Sequence, residues 1–314
     1  MIFPYLLNIN TTVTKMLKHQ GSQDLDFGGG HDLHLEGGDD IHLGAGDDLH
    51  FGGGFLKDLP PSIKRYTCHG KQHFLDIIES EPFDGANNPS KYLLLHARKN
   101  VLNTIVDAPV QEEALISSFD TDEELVLITL MSQPHSEAAD AVNTAILETL
   151  IPMGMFSCLQ GFAGAKIRQE GRPRGKQADY GWGPIRRPRG QRRSPSVTLE
   201  VAYSETESKL NSDVRFWLNP EDGNANVCLT LRINRSQPEI RMEKWERRND
   251  RPHRSQVTWI AKNGGHIHAT EHPIVIPFES LFCRPSSRPG ERDLEISETQ
   301  LKGIADKIWE VQGW

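Results

Sequence analysis

The alternation of apolar and polar residues predicts a strand around Glu200. Its apolar positions, which point to one side, are Val197, Leu199, Val201 and Tyr203. Glu200 points to the other side, among small and polar residues. A carboxylate in the middle of a strand is unfavourable unless it is solvated, paired or bound to a metal. Asp179 precedes this strand, and an acid at the end of a neighbouring strand would supply a second ligand. Two carboxylates with water form a normal Mg²⁺ site.

Similar patterns predict the elements before this strand. Apolar runs indicate strands at 91–96 and 125–130, and a third strand is expected at 164–170. A helix is predicted to begin near Ser136 as its cap, with acids in its first turn, and to end before Pro152. His135, just outside this start, is expected to be a surface residue.

Further elements are predicted on the C-terminal side. Ser204 and Glu207 form an S-x-x-E capping box that opens a helix, and Ser297 with Gln300 opens the last one, at 297–312. Strands are expected at 227–233, 239–245 and 256–261, and 273–282 reads as extended and apolar. The overall prediction is an α/β (α+β) fold.

Composition divides the chain into three parts. Hydrophobic residues make up 37% and the mean hydropathy is −0.52, which is low for one globule, so part of the chain is expected to be unfolded or extended. Residues 1–56 are predicted to be a disordered or repeat-containing segment. Residues 57–124 are predicted to form an extension whose short strands pack on the core, and 125–314 to form the main domain.

An eight-residue repeat occupies residues 24–54, with Asp, His and Gly at regular positions. Three readings are open: a disordered repeat expansion, a small calcium-binding β-roll, or a weak metal-binding tract. The β-roll resemblance is imperfect, because that repeat has a nine-residue period.

The cysteines and the N-terminus indicate the compartment. The four cysteines are far apart and show no metal-binding spacing, as in a reducing environment. The apolar stretch at residues 1–8 is too short for a signal peptide or a membrane span. We expect an intracellular protein, cytoplasmic or nuclear, without a membrane partner.

Charge is concentrated in one segment of this acidic chain. The net charge is −8, yet 166–193 contains ten basic residues and two acidic ones. Such a segment favours contact with a nucleic-acid backbone, although a solvated Arg/Pro/Gly loop is the alternative. The candidate nucleic-acid-binding residues are Arg168, Arg172, Arg174, Lys176, Arg186 and Arg187.

The order of elements, with Asp179 closing one strand and Glu200 within the next, resembles the PD-(D/E)XK superfamily of restriction-endonuclease-like nucleases. The run from Glu200 to Ser204 is similar to the branch with an E-V-x-x-S third motif. This resemblance implies a mixed central sheet flanked by helices. It also implies a metal-dependent nuclease in which Asp179 and Glu200 hold Mg²⁺ (or Mn²⁺) and activate water against a phosphodiester.

The chain departs from this pattern at Ala202, where the family places the lysine of E-x-K. In the similar branch this lysine is displaced, often into the following helix. Lys209, with Arg215 as second choice, is therefore the candidate catalytic cation, and an ion pair with Asp213 is its structural alternative. Two other functions stay open: a catalytically degenerate, nucleic-acid-binding or scaffold protein, and an interaction protein that works through the repeat.

Overall fold

The fold is built from mixed β-sheets with helices packed against them. The computed structural model describes residues 59, 63–81, 91–107, 114–190, 193–203 and 207–314. These residues lie within one unit of the chain, which begins at Leu43. The repeat at 24–54, the predicted segment 1–56 and Ser204 lie outside the described residues.

The helices and strands are numbered in chain order. The helices are α1 (Lys71–Ser80), α2 (Lys99–Asp107), α3 (Gln133–Leu150), α4 (Glu207–Leu218), α5 (Phe278–Phe282) and α6 (Glu298–Gln312). The strands are β1 (Lys64–Cys68), β2 (Lys91–Ala97), β3 (Ala114–Asp120), β4 (Leu125–Leu130), β5 (Leu159–Gly161), β6 (Lys166–Arg168), β7 (Arg174–Gln177), β8 (Tyr180–Pro184), β9 (Val197–Ala202), β10 (Val227–Ile233), β11 (Glu239–Arg248), β12 (Arg251–Asn263), β13 (His266–Ala269), β14 (Ile274–Ile276) and β15 (Leu294–Ile296).

The second half of the chain forms the larger sheet, in the order β13-β12-β11-β10-β9-β8-β5. β9 and β10 are parallel and are joined through α4, whereas the other neighbours in this sheet are antiparallel. A parallel pair needs such a crossover, because a short turn cannot bring the chain back to the same end. β14 and β15 form a separate two-stranded ribbon.

Helices cover both faces of the larger sheet. α3 and α6 pack on the face that carries Leu199 and Val201, and α4 places Val214 and Trp217 against Cys228 on the opposite face. β9 is consequently buried along its whole length. The predicted mixed sheet flanked by helices is therefore present. Glu200 does not face solvent from it.

The first half of the chain forms a smaller sheet, in the order β1-β2-β4-β3-β7-β6, with α1 and α2 against it. The β6–β7 hairpin comes from the middle of the chain, between β5 and β8, and pairs with β3. The chain therefore passes from the smaller sheet to the larger one at Ala178–Asp179. The domain boundary predicted between 124 and 125 falls in the turn between β3 and β4.

Several predicted elements are confirmed, and others are corrected. β4 and β10 have the predicted bounds, and α6 begins with the Ser297–Gln300 capping box. The helix predicted to be capped by Ser136 begins earlier, at Gln133, because Pro134 is compatible with a first helical turn and Ser132 is the cap. The 273–282 segment is not wholly extended, since it ends in α5.

One further result concerns membranes. Among the helices in the described part of the chain, none combines the length and apolar character needed to cross a lipid bilayer.

The close packing of β7 against Phe119 of the smaller sheet can be tested at Gly175. A Cβ at this position would lie 2.1 Å from Cζ of the buried Phe119 ring. We expect Gly175→Ala to destabilise the protein by about 1–3 kcal/mol, as overpacking does, measured by urea unfolding. Gly303→Ala is the control: it lies in α6 with no atom within 4 Å of the added Cβ. It should be neutral or stabilising by up to about 1 kcal/mol. Equal stabilities for the two variants would contradict the close packing of β7.

Candidate functional site

Strand register brings Asp179 beside Glu200. In the antiparallel pair of β8 and β9, Tyr180 lies opposite Leu199. Continued by one residue, the same register sets Asp179 opposite Glu200. The Asp179 Oδ2 atom accepts a hydrogen bond of 2.6 Å from the Val201 amide, which follows Glu200. The two predicted metal ligands therefore lie on adjacent strands at one place in the sheet.

α4 adds a second layer of polar groups over Glu200. Lys209, Asp213 and Trp217 follow one another at four-residue spacing, so they lie along one side of the helix. The indole N–H of Trp217 donates to Glu200 Oε1. Lys209 Nζ donates to both oxygens of Asp213, at 2.6 Å for Oδ2. Its ammonium also lies 5.6 Å from the centre of the Tyr92 ring, on the smaller sheet.

Lys176 connects these layers from β7. Its Nζ lies 2.9 Å from Asp213 Oδ1 and 3.4 Å from Glu200 Oε2. The side chain is 1% exposed, and its two partners are almost as deeply buried. The ammonium of a strand in the smaller sheet is thus held between a strand and a helix of the larger domain.

His135 completes the surroundings of Asp179. Its Nε2 atom lies 3.0 Å from Asp179 Oδ2, and only 2% of its side chain is exposed. The expectation that His135 is a surface residue is wrong. Because α3 begins at Gln133, His135 lies within the first turn and is turned inward.

Burial and neighbouring charges shift the pKa values in this cluster in opposite directions. Burial, together with the neighbouring Asp213 and Asp179, raises the pKa of Glu200 well above its usual value, despite the opposing effect of Lys176. Burial also acts to raise the pKa of Asp179. However, His135, the Val201 amide and Lys176 outweigh this and hold it below its usual value. For Lys176, burial lowers the pKa, but Asp213 and Glu200 more than offset it and keep the pKa high.

The formal charges of the cluster do not balance. It contains three carboxylates, Asp179, Glu200 and Asp213, against two ammonium groups, Lys176 and Lys209. The cluster therefore carries one surplus negative charge only while Glu200 is ionised and His135 is neutral, and a proton on Glu200, whose pKa is raised, removes it.

A cavity of about 490 Å³ borders this cluster at Lys176 and Asp213, and neither Asp179 nor Glu200 is among its lining residues. Its lining includes the buried Lys176 and Asp213 and the exposed Arg174, together with Arg215 and Phe216. A larger cavity, of about 960 Å³, lies at the opposite end of β9, beside Ser196. We regard the smaller cavity as the access route, because it alone of these two reaches the cluster.

The predicted nucleic-acid-binding residues have different surroundings. Arg172 pairs with Glu221, and Arg174 with Asp120 at 3.0 Å, both at the surface. Arg168 is exposed and donates to the Arg172 carbonyl oxygen. Arg186 is exposed and Arg187 is half-buried, whereas Lys176 is internal. The nucleic-acid role of these side chains stays a prediction, and among them Lys176 is the one whose side chain is almost wholly buried.

The donor set limits the kind of metal that the site could hold. Within the described residues, no group of three or more His, Cys, Asp or Glu side chains is placed to hold a metal ion. Asp179 and Glu200 provide two carboxylates, so an ion there would complete its coordination with water. This suits Mg²⁺ or Mn²⁺ better than zinc, which prefers three or four protein ligands.

Lys176, like His135, belongs to this site although the sequence did not predict it there. Lys209, the predicted displaced cation, is buried against Asp213, and Lys176 affects the pKa of Glu200 more strongly than Lys209 does. The one sequence signal that could have identified Lys176 was its position three residues before Asp179. In the sequence, however, Lys176 was one of ten basic residues in a loop-like segment.

A scan against protein-family models and a search of curated proteins find no match to this chain.

The buried ion pairs of Lys176 give a stability prediction. Lys176→Met would leave Glu200 and Asp213 without their shared cation, so we expect a loss of about 3–5 kcal/mol in the free energy of unfolding. Lys99→Met, which removes an exposed pair with Asp122 at 3.0 Å, should cost about 0–1 kcal/mol. Urea titrations of both variants would measure the difference. A Lys176→Met protein as stable as Lys99→Met would show that the buried contacts do not hold the two sheets together.

Proposed function

We propose that this protein is a metal-dependent nuclease with a restriction-endonuclease-like domain. The observation that carries the proposal is the burial of three carboxylates, Asp179, Glu200 and Asp213, against two ammonium groups, beside a cavity lined by Lys176 and Asp213. A purely structural cluster is more stable when its charges balance. A divalent cation would replace the proton that otherwise compensates the third carboxylate.

The topology of the larger sheet supports the same proposal. α3, β5, β8, β9, α4 and β10 follow the order helix, strand, strand, strand, helix, strand, and their strands are neighbours in one sheet. The acids lie at the start of the second of these strands and within the third. The β6–β7 hairpin is an addition between the first and second strands.

Each residue of the cluster has a role in this proposal. Asp179 and Glu200 would hold Mg²⁺ or Mn²⁺, which supplies an activated water and offsets charge on the phosphate oxygens. His135 and the Val201 amide orient Asp179, and Trp217 orients Glu200. Lys176 replaces the lysine that Ala202 cannot provide, because its ammonium reaches Glu200 from β7.

The cavity beside the cluster has a mixed lining, with the basic residues Arg174, Lys176 and Arg215 and the acids Asp213, Glu221, Asp222 and Asp250. Arg174 and Arg215 line it on the way to Lys176. Guanidinium groups bind phosphate through parallel hydrogen bonds. A phosphodiester of DNA or RNA fits this lining, although Glu221 and Asp222 also border it and would restrict where a backbone could lie.

A second candidate is a catalytically degenerate nuclease fold that binds nucleic acid. The observation that favours it is the number of protein groups already bound to the carboxylates: Lys176, Lys209, Trp217, His135 and a backbone amide. In this case the protein would bind oligonucleotides with strong salt dependence and would not cleave them.

Cleavage assays test the leading proposal. The full chain should cleave plasmid or single-stranded oligonucleotide with Mg²⁺ or Mn²⁺, and EDTA should abolish the activity. Asp179→Asn and Glu200→Gln should each lower the rate by about a hundredfold or more, because each removes a metal ligand. Lys176→Met should lower it more than Lys209→Met.

The exposed Glu295 gives the matched control, since Glu295→Gln removes a carboxylate from β15 of the separate two-stranded ribbon. It should leave the rate unchanged. No metal-dependent cleavage of DNA or RNA by the wild type, together with salt-sensitive binding, would reject the enzyme and support the degenerate reading.

The charge surplus also predicts an unusual stability effect of Glu200→Gln. The pKa of Glu200 is higher in the folded protein than its ordinary value of 4.5, so ionised Glu200 costs stability increasingly as pH rises above that value. In EDTA at pH 8, Glu200→Gln should therefore be more stable than the wild type by about 1 kcal/mol or more. The gain should shrink towards pH 5.

Urea unfolding in EDTA at the two pH values measures this effect, with Glu295→Gln as control. Added Mn²⁺ should stabilise the wild type and leave Glu200→Gln unaffected. A Glu200→Gln protein that is less stable than the wild type at pH 8 would mean that the cluster is balanced without a metal.

A further inference from the structure

The larger cavity of the protein is separate from the candidate metal site. It lies where β9 and β10 begin, whereas Glu200 lies four residues further along β9 than Ser196, which borders the cavity. Four residues of strand correspond to about 13 Å. A ligand in this cavity would therefore not touch the acid cluster.

Arg187 lines this cavity with unsatisfied donors. Its Nε and Nη2 atoms are buried and have no hydrogen-bond partner among the described residues. These two N–H groups form the edge of the guanidinium that binds an oxyanion through two parallel hydrogen bonds. Buried donors without a partner are unfavourable, so Arg187 gains from any acceptor that enters.

The backbone makes room for this side chain at Gly183. A Cβ on Gly183 would lie 2.6 Å from Arg187 Nη2. Gly183 is buried in β8, next to the edge strand β5 of the larger sheet. A residue with any side chain at this position would displace the guanidinium, so the position of Arg187 depends on this glycine.

The lining is polar, and its three arginines, with Arg187 among them, outnumber its two acids by one. Arg247 and Arg248 come from the end of β11, and the acids Glu246 and Glu279 also border the cavity. The Glu246 Oε2 atom lies 3.4 Å from Lys244 Nζ, and this ammonium offsets the charge of Glu246. Ser194, Asn226, His253 and Ser255 supply further hydrogen-bonding groups.

We propose that this cavity is a phosphate-binding site in which Arg187 is the principal ligand-binding residue. Phosphate is the chemical group expected here, because it is a compact oxyanion that accepts hydrogen bonds from guanidinium, amide and hydroxyl donors at once. It could belong to a nucleic-acid backbone or to a small phosphorylated metabolite. Burial lowers the pKa of Arg187, with a smaller opposing effect of Cys283, and the guanidinium stays charged at neutral pH.

Binding of inorganic phosphate to the full chain tests the site. Calorimetric titration in EDTA and chloride buffer should show saturable binding, and because no divalent metal is present, the result does not depend on the proposed nuclease. Arg187→Gln should weaken binding by about tenfold or more, since it removes the charged donor pair. Gly183→Ala keeps the charge but displaces the guanidinium, and it should also weaken binding.

Arg189→Gln is the matched control, because it removes the same charge from an exposed position two residues away that does not line the cavity. It should bind phosphate within about twofold of the wild type, since an exposed charge contributes little. Thermal unfolding curves would establish that each variant is folded. If Gly183→Ala does not fold, the comparison of Arg187→Gln with Arg189→Gln decides the outcome.

The source of the phosphate is distinguished by competition. Displacement of inorganic phosphate by a short oligonucleotide without a terminal phosphate would identify a nucleic-acid backbone. Displacement by a sugar phosphate, but not by the oligonucleotide, would identify a small metabolite. Either result supports the site. No saturable phosphate binding, or equal losses in Arg187→Gln and Arg189→Gln, would overturn it.

Discussion

The structure depends on one buried ammonium group. Lys176 belongs to a strand of the smaller sheet, and its two carboxylate partners belong to β9 and α4 of the larger domain. An ammonium removed from water is stable only where opposite charges replace its hydration. The same ion pairs therefore fix both the packing of the two sheets and the arrangement of the candidate site. Either sheet without the other would leave a buried charge unpaired.

This constraint gives a reason for the unusual path of the chain. The β6–β7 hairpin leaves the larger sheet after β5, pairs with β3, and returns at Asp179. Lys176 and Asp179 are three residues apart. Lys176 belongs to β7 of the smaller sheet, and Asp179 lies just before β8 of the larger sheet. A lysine two residues after Glu200 on β9 would have offered its charge within a single sheet. With Ala202 at that position, the positive charge at Glu200 comes from the neighbouring sheet.

The sequence was informative where local periodicity decides the structure. β4, β9 and β10 are continuous or alternating apolar runs, and Ser297 with Gln300 is a local signal. The adjacent strands of Asp179 and Glu200 also followed from their order. Lys176 could not be placed in this way, because no local pattern reveals that a hairpin joins another sheet. His135 was misplaced for a smaller reason: the helix begins three residues before the capping serine that its sequence favoured, which turns this side chain inward.

The two cavities illustrate how neighbouring residues of like charge acquire different chemistry. Arg186 and Arg187 are the same residue type at adjacent positions, but their surroundings differ. Arg186 is exposed, whereas Arg187 packs against Gly183 and has two buried donors without a partner among the described residues. Lys176 and Arg174, two residues apart, differ in the same way. Lys176 is buried, whereas Arg174 is exposed and pairs with Asp120. Water screens the exposed member of each pair, so it contributes long-range attraction at most. The buried member has lost that hydration and must be compensated by a specific partner. In the acid cluster the partners of Lys176 are present, and Glu200 is the carboxylate whose pKa is raised. In the larger cavity the partner is an acceptor that the described residues do not supply.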